Sequence, residues 1–364
     1  MRNIAVFFGG ESVEHDISVI TGVIVMNSID KSGDVSIPVF VGRDGKWYTG
    51  QILKDIDFYK ALDLKKLKRV SMVFGDNTLY YFRGKRLKEF CTLSSAINCM
   101  HGGVGEDGSM MGCLNVLGIP TASPNVLSSS AFMDKAMTKI LLKGIKVDTL
   151  KCVVLDNDKE LENVEKAFFY PVIVKPISLG SSVGIKVARD RKELKDGVLF
   201  ALRYANKVVV EPFLKNVMEI NCAVYKDRGG VVVSECERPI KKNTLLDFDD
   251  KYMAGDREFP AKIPDKIRDK IRKIAQKIYT CFDMQGIIRI DFMVDNEKVL
   301  VNEVNTVPGS LAYYLFADSS EEFSAILKRL TDLAITLQAK DKTLVKRFSS
   351  SVLNIKGAKG SKRL

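Results

Sequence analysis

The sequence predicts a mixed α/β (α+β) protein whose first segment is an open parallel sheet crossed by helices, and three stretches carry that reading. Residues 4–8 form an apolar strand, Gly9-Gly10 a tight turn, residues 18–29 a helix with an apolar stripe, and residues 36–41 a second strand. Strand, turn, helix and strand in that order make the crossover unit of an open sheet, whose strand ends commonly carry ligand loops. Residues 286–309, GIIRIDFMVDNEKVLVNEVNTVPG, read as two strands joined by a turn at Asp295-Asn296-Glu297. Residues 264–282 read as a helix, with Pro264 in its first turn and Ile267, Ile271, Ile274 and Ile278 along one face. At 364 residues, 46% hydrophobic and 28% charged, the chain is long enough for two or three domains with substantial cores.

The remaining elements follow in order. Turn signals at Asp44-Gly45 and Asp76-Asn77 flank strand-like runs at 46–49, 70–74 and 79–82. Residues 96–100 form a strand leading into His101-Gly102-Gly103, and residues 109–117 a short helix closed by Gly118 and Pro120. A first domain over 1–124 is the result. The second, 125–214, starts with a helix through Met133-Asp134-Lys135 and continues in strands at 152–155, 171–175, 184–188 and 208–211. The third, 215–340, holds antiparallel strands and the 264–282 helix, and residues 341–364 form a basic tail.

Composition excludes several function classes. The net charge of +11 is uneven: residues 340–364 hold eight Lys or Arg and one Asp, a net +7, leaving +4 for the other 339 residues. A basic terminus of this kind solubilises more often than it reads nucleic acid, and the body carries no helix-turn-helix or aromatic platform. No run approaches the roughly 18 apolar residues that span a bilayer, and the start MRNIAVFFGGE lacks a signal-peptide pattern, so a cytoplasmic location without membrane insertion is expected. Seven cysteines without a C-x-x-C predict reduced thiols, with neither disulfides nor zinc.

Side chains two residues apart on a strand share a face, so Arg289 and Asp291 project together, as do Glu303 and Asn305 on the returning strand. Ile288, Ile290 and Phe292 then face a core. Two carboxylates, an amide oxygen and a guanidinium suit Mg2+ that carries nucleotide phosphates, with Arg289 on a phosphoryl oxygen. A solvated polar face on an edge hairpin is the competing reading. Residues 172–184, VIVKPISLGSSVG, join two strands through a Gly/Ser loop whose N–H groups could fold over phosphate beside Lys175; a mobile hairpin tip is the alternative. Glu211, at the end of an apolar strand and followed by Glu219, suits an adenine-ribose pocket.

Two motif matches mislead. Residues 103–108 satisfy G-x-G-x-x-G, but residues 109–133 contain no acid to bind a ribose, and Glu106 and Asp107 would repel a pyrophosphate. Residues 180–184 satisfy G-x-S-x-G, yet the histidines, His15 and His101, both precede that serine and a strand follows it, which rules out a serine hydrolase.

Taken in order, FFGGESVEHDIS (7–18), HGGVGEDG (101–108), MDK (133–135), YPVIVKPISLGSSVGIKV (170–187), DKY (250–252), RIDF (289–292) and NEVNTVPG (302–309) closely resemble the D-alanine-D-alanine ligase family of ATP-grasp enzymes, over residues 3 to 335. The resemblance implies a three-domain ATP-grasp fold, use of ATP with two Mg2+ ions (or Mn2+), and a homodimer. It implies that ATP phosphorylates the carboxylate of one D-alanine and that the amine of a second attacks the acyl phosphate, supplying a dipeptide for peptidoglycan. Carried over by position, Lys135, Lys175, Ser182 and Lys251 would contact ATP phosphates, and Glu211, Phe213, Leu214 and Glu219 would form the adenosine pocket. Asp291, Glu303 and Asn305 would hold the metal ions, with Arg289 and the Gly309 N–H stabilising the intermediate. Glu14 would bind the first ammonium and, with Ser181 and Tyr252, close a lid. His101 would contact the first substrate, and Tyr314 and Leu315 the second. From the residues alone, Glu14 reads as well as a helix cap and His101 as a satisfied loop histidine.

The sequence also departs from the family. Tyr314 stands where a serine usually binds the second carboxylate; Met111 and Asn115 replace a glutamine and a glutamate; Thr121-Ala122-Ser123 and the lid DFDDKY differ from the usual forms. The acceptor therefore stays open between D-alanine and another, such as D-serine or D-lactate. A nucleotide-binding regulator without turnover is the reading from another class, and the retained Asp291, Glu303 and Asn305 speak against it.

Overall fold

A computed structural model describes residues 1–240 and 256–350. The first crossover is β1 (Asn3–Gly9), α1 (His15–Lys31) and β2 (Val35–Val41), with β1 and β2 parallel. β3 (Trp47–Thr49), β4 (Lys68–Met72), β5 (Thr78–Arg83) and β6 (Arg86–Thr92) continue as an antiparallel meander, and β7 (Ser95–Asn98) returns parallel to β1. The sheet order is β6-β5-β4-β3-β2-β1-β7. Only β2-β1-β7 are parallel, so the expected parallel sheet is in fact mixed. The turns joining β2 to β3, β4 to β5 and β5 to β6 are too short for a crossover and can only pair antiparallel neighbours. α1 begins three residues before its expected start and covers the Phe8 side of β1, while α2 (Ser109–Val116) covers the Phe7 side. Gly22 is required at that contact, because a Cβ there would lie 2.5 Å from Phe8 Cγ.

α3 (Val126–Met133) and α4 (Lys135–Gly144) replace the single helix expected through Met133-Asp134-Lys135. Asp134 is extended, and its carboxylate accepts from the N–H groups of Ala136 and Met137, both at 2.8 Å. This cap starts a new helix and fixes Lys135 at its first position.

The second sheet contains β8 (Val153–Leu155), β9 (Val172–Pro176), β10 (Lys186–Ala188) and β11 (Val208–Pro212), in the antiparallel order β10-β9-β11-β8. Val172, Val174, Val208 and Val210 pack against α5 (Leu161–Ala167) and α6 (Arg191–Ala201). Alternation then turns Lys175 and Glu211 to the opposite face.

The third sheet comprises β12 (Met218–Asp227), β13 (Gly230–Val233), β16 (Ile288–Asp295) and β17 (Lys298–Asn305), ordered β13-β12-β16-β17. The short pair β14 (Arg238–Pro239) and β15 (Arg257–Glu258) lies beside it. Ile288, Ile290 and Phe292 are at most 1% exposed and pack under α7 (Asp265–Cys281). Within α7, Ala275 takes the buried place expected of Ile274, which is half-buried. An unanticipated helix, α8 (Ser320–Lys342), runs along α1 through Phe323, Ile326, Leu327 and Leu330 and extends into the basic tail. Its start is capped on both sides: Ser319 Oγ accepts from the Glu322 N–H at 3.2 Å, and Glu322 Oε2 accepts from the Asp318 N–H at 2.8 Å. Among the described residues no helix is long and apolar enough to cross a membrane.

Candidate active site

The three sheets bring their polar faces and loop ends together at one cleft. Glu14 stands just before α1, and its side chain makes no cap bond. It instead accepts a short hydrogen bond from Ser181 Oγ, from the Gly/Ser loop after β9. Close approach is possible because Gly102 and Gly180 lack side chains; a Cβ on either would lie 2.8 or 2.9 Å from a Glu14 carboxylate oxygen. Ser181 and Ser182 have φ of 53° and 59°, a left-handed pair that folds the loop over the cleft.

Lys135 Nζ donates to the Leu179 carbonyl at 2.6 Å and lies 3.9 Å from Glu303 Oε2. Burial pulls its pKa down. Lys175 Nζ is 2.8 Å from Glu211 Oε2 and 3.2 Å from Asn302 Oδ1. Burial opposes its charge, but Glu211 prevails and the pKa is raised. Lys139, missed in the sequence, lies 2.6 Å from the other oxygen of Glu211, whose side chain is 1% exposed. Both oxygens of Glu211 thus serve lysines. Phe213 and Leu214 are half-buried in the crossover to the third sheet, and Glu219 lines a cavity of about 390 Å³ there.

On β16 and β17, Asp291 stands opposite Glu303, and Arg289 opposite Asn305. Arg289 grips both oxygens of Asp291, at 2.7 and 2.9 Å, so the expected phosphoryl and metal groups are paired with each other. A register shift after Asp291 makes Asn302 the extra residue of a bulge. Strict alternation would turn Asn302 away from Glu303; the bulge puts both on the cleft. The donors are all hard oxygens, and no group of three or more His, Cys, Asp or Glu side chains is placed to hold a metal among the described residues. Two carboxylates with amide oxygens fit Mg2+ that takes its remaining ligands from phosphate and water, rather than a cation caged by protein.

His101 is 3% exposed, and burial lowers its pKa to about 4. Its Nε2 meets Thr21 Oγ1 at 2.9 Å, Thr21 Oγ1 accepts from the Ser310 N–H at 2.9 Å, and the ring also hydrogen-bonds the Val307 backbone. It thus splices α1 to the loop after β17. Glu106, dismissed in sequence as a pyrophosphate repellent, accepts from the N–H groups of Gly102 at 3.1 Å and Val307 at 3.3 Å. Burial raises its carboxyl to about 7. After Gly309, the residues Ser310, Leu311 and Ala312 have φ near +50°, a left-handed turn that is costly for residues with side chains. Beyond it Leu315 is buried in the apolar core, while Tyr314 lines the 390 Å³ cavity with Arg289, Asp291 and Gly309. Lys251 and Tyr252 lie outside the described residues.

A Gly/Ser loop folded over buried lysines, facing a hairpin of carboxylates on a second antiparallel sheet, defines an ATP-grasp ligase. The family model described as D-ala D-ala ligase N-terminus matches residues 3–124, and that described as D-ala D-ala ligase C-terminus matches residues 142–334. The chain is 37% identical over 373 residues to the D-alanine–D-alanine ligase of Thermosipho melanesiensis, covering 99% of this chain and 100% of the relative. The crystal structure of the Helicobacter pylori D-alanine–D-alanine ligase matches with a TM-score of 0.76 at 28% identity, over 92% of this chain and 98% of that one. The Coxiella burnetii enzyme matches with a TM-score of 0.80 at 25% identity, over 95% and 97%. The chain belongs to the D-alanine–D-alanine ligase family. Membership brings with it the use of ATP and a requirement for metal ions.

Proposed function

We propose that the protein joins two D-alanines at the expense of ATP, releasing ADP and phosphate, and so supplies the dipeptide for peptidoglycan. The observation that carries this is the Glu14–Ser181 contact, because it joins the first domain to the phosphate-loop region directly beside Lys135, Arg289 and Glu303. Glu14 holds the ammonium of the first D-alanine and so aims its carboxylate at the lysines. That carboxylate attacks the γ-phosphorus of ATP and ADP leaves. Lys135 and Lys175 draw the phosphate oxygens into line, and backbone N–H groups of the 180–184 loop close over them. Asp291, Glu303 and Asn305 would hold divalent cations, two in number, and such ions when bound would supply positive charge beside the transferring phosphoryl group.

For that to happen Arg289 must exchange Asp291 for the new anion, and it then stabilises the acyl phosphate together with the Gly309 N–H. The second amine attacks the acyl carbon, phosphate leaves, and the amine loses its proton. The division at 124/125, 214/215 and 340/341 gives each domain one of the three larger sheets. Dimerisation rests on the family likeness, and sedimentation tests it. The Tyr314 position favours one alternative, a different small acceptor such as D-serine or D-lactate. The decisive experiment measures ADP release and product mass with D-alanine alone and with each alternative acceptor. Absence of an ATP-dependent dipeptide would overturn the proposal.

A further inference from the structure

A guanidinium stands in the wall of the 390 Å³ cavity. Arg257, on β15, is held between two rings, 4.8 Å from the Tyr314 centroid and 5.3 Å from that of Phe259. Its Nη1 lies 3.2 Å from Glu237 Oε1 and 3.4 Å from the Tyr314 carbonyl. Glu237 is itself 4% exposed and fixed to β12: its other oxygen accepts from Asn221 Nδ2 at 3.0 Å, and the two residues exchange backbone hydrogen bonds. Stacking and one buried partner therefore fix the plane of the guanidinium. Its Nε and Nη2 donate to no other group among the described residues, and its side chain is 37% exposed. A preset fork of unused donors is the arrangement that binds a carboxylate in two-point fashion.

The cavity that Arg257 lines also takes in Arg289, Gly309 and Ser310, where the acyl phosphate would form. An α-amino acid carries its amine and carboxylate two bonds apart. An acceptor whose amine points at Gly309 must therefore leave its carboxylate one layer further out, toward Tyr314 and Arg257. The Tyr314 oxygen accepts from Arg289 and keeps a single O–H donor, which holds a carboxylate at one point and without charge, whereas the Arg257 guanidinium offers two parallel donors and a positive charge. We infer that Arg257 receives the acceptor carboxylate and that Tyr314 is the platform that positions it, together replacing the family serine. The inference rests on the ligase reading of the cleft and makes the second site selective for small acceptors with a free carboxylate.

The test compares the parent, Arg257→Gln, Arg257→Lys and Tyr314→Leu in steady state. It resolves the Michaelis constants for the first and second D-alanine, and the rate with D-alaninamide as competing acceptor is read by product mass. Losing a hydrogen-bonded charge should raise the second constant roughly ten- to hundredfold in Arg257→Gln while the first stays put. Preference for D-alanine over its amide should vanish in that variant. Arg257→Lys should restore part of it, and Tyr314→Leu should fall between. An unchanged second constant and an unchanged preference in Arg257→Gln overturn the inference, as does an equal rise in both constants, which marks a merely structural role. A parent that makes no dipeptide defeats the ligase reading instead.

Discussion

Replacing Glu211 by glutamine removes the negative charge from a buried triad while keeping its shape. Glu211 is the common partner of Lys139 at 2.6 Å and Lys175 at 2.8 Å, and the three side chains are 1%, 8% and 11% exposed. Breaking a buried pair by removing one partner costs about 3–5 kcal/mol, since the remaining charge stays desolvated. Here Lys175 keeps Asn302 Oδ1 and Lys139 keeps Thr149 Oγ1 at 3.3 Å, which places the loss near the lower end, about 3 kcal/mol. For a chain of this size that corresponds to a fall of roughly 6 °C in the thermal midpoint. Adding Lys139→Met should recover part of the loss, because the double variant buries one unpaired ammonium fewer, giving a coupling of about 1–3 kcal/mol. The assay is calorimetry on the parent, both single variants and the double, each also titrated with ATP. Two outcomes refute the reasoning: a midpoint within about a degree of the parent, or strict additivity in the cycle. The pH dependence carries a matching sign. Burial raises the Glu211 carboxyl, but the two lysines outweigh it and the net pKa lies below the ordinary 4.5. The stabilisation is therefore fully present above about 4.5 and is lost as pH falls through the lower native value.

Further outcomes follow from the same geometry. Glu303→Gln should fold and bind ATP without Mg2+ as the parent does, yet lose nearly all turnover, as should the parent treated with chelator; comparable turnover in either case removes the metal assignment. Lys175→Ala should weaken ATP binding in calorimetry while leaving D-alanine binding little changed, and intact ATP binding would remove the phosphate role. Burial holds the His101 pKa at about 4 instead of 6.5, so the native state resists the proton that the unfolded chain takes up. The His101 component of stability should therefore fall by about 3 kcal/mol as pH drops from 6.5 to 4; Glu106, with its carboxyl raised to about 7, contributes with the opposite sign, so the component is read as the difference between the parent and His101→Gln in pH-dependent denaturation curves.

Much of the fold was legible because its signals are local. The alternation of Arg289, Ile290, Asp291 and Phe292 sorts core from cleft over a few residues, and Pro264 and the isoleucines of α7 do the same for a helix. Even the elements that were missed leave local marks, namely the Ser319 N-cap and the Asp134 cap that splits α3 from α4. The site itself required tertiary structure. Asn302 reaches the cleft only through a bulge, which depends on how β16 and β17 pair and not on either strand alone. Nothing near Glu211 in sequence discloses Lys139, 72 residues away, as its second partner. His101 joins Thr21 and Ser310, and Arg257 stacks on Tyr314, across separations that composition and periodicity do not encode. The sequence by itself determined which residue types could do the chemistry and the order of the elements that carry them. Which of those charges pair with each other, and which donors remain for a substrate, was decided when the sheets packed, because burial forces each charged group to take the nearest partner that the fold brings to it.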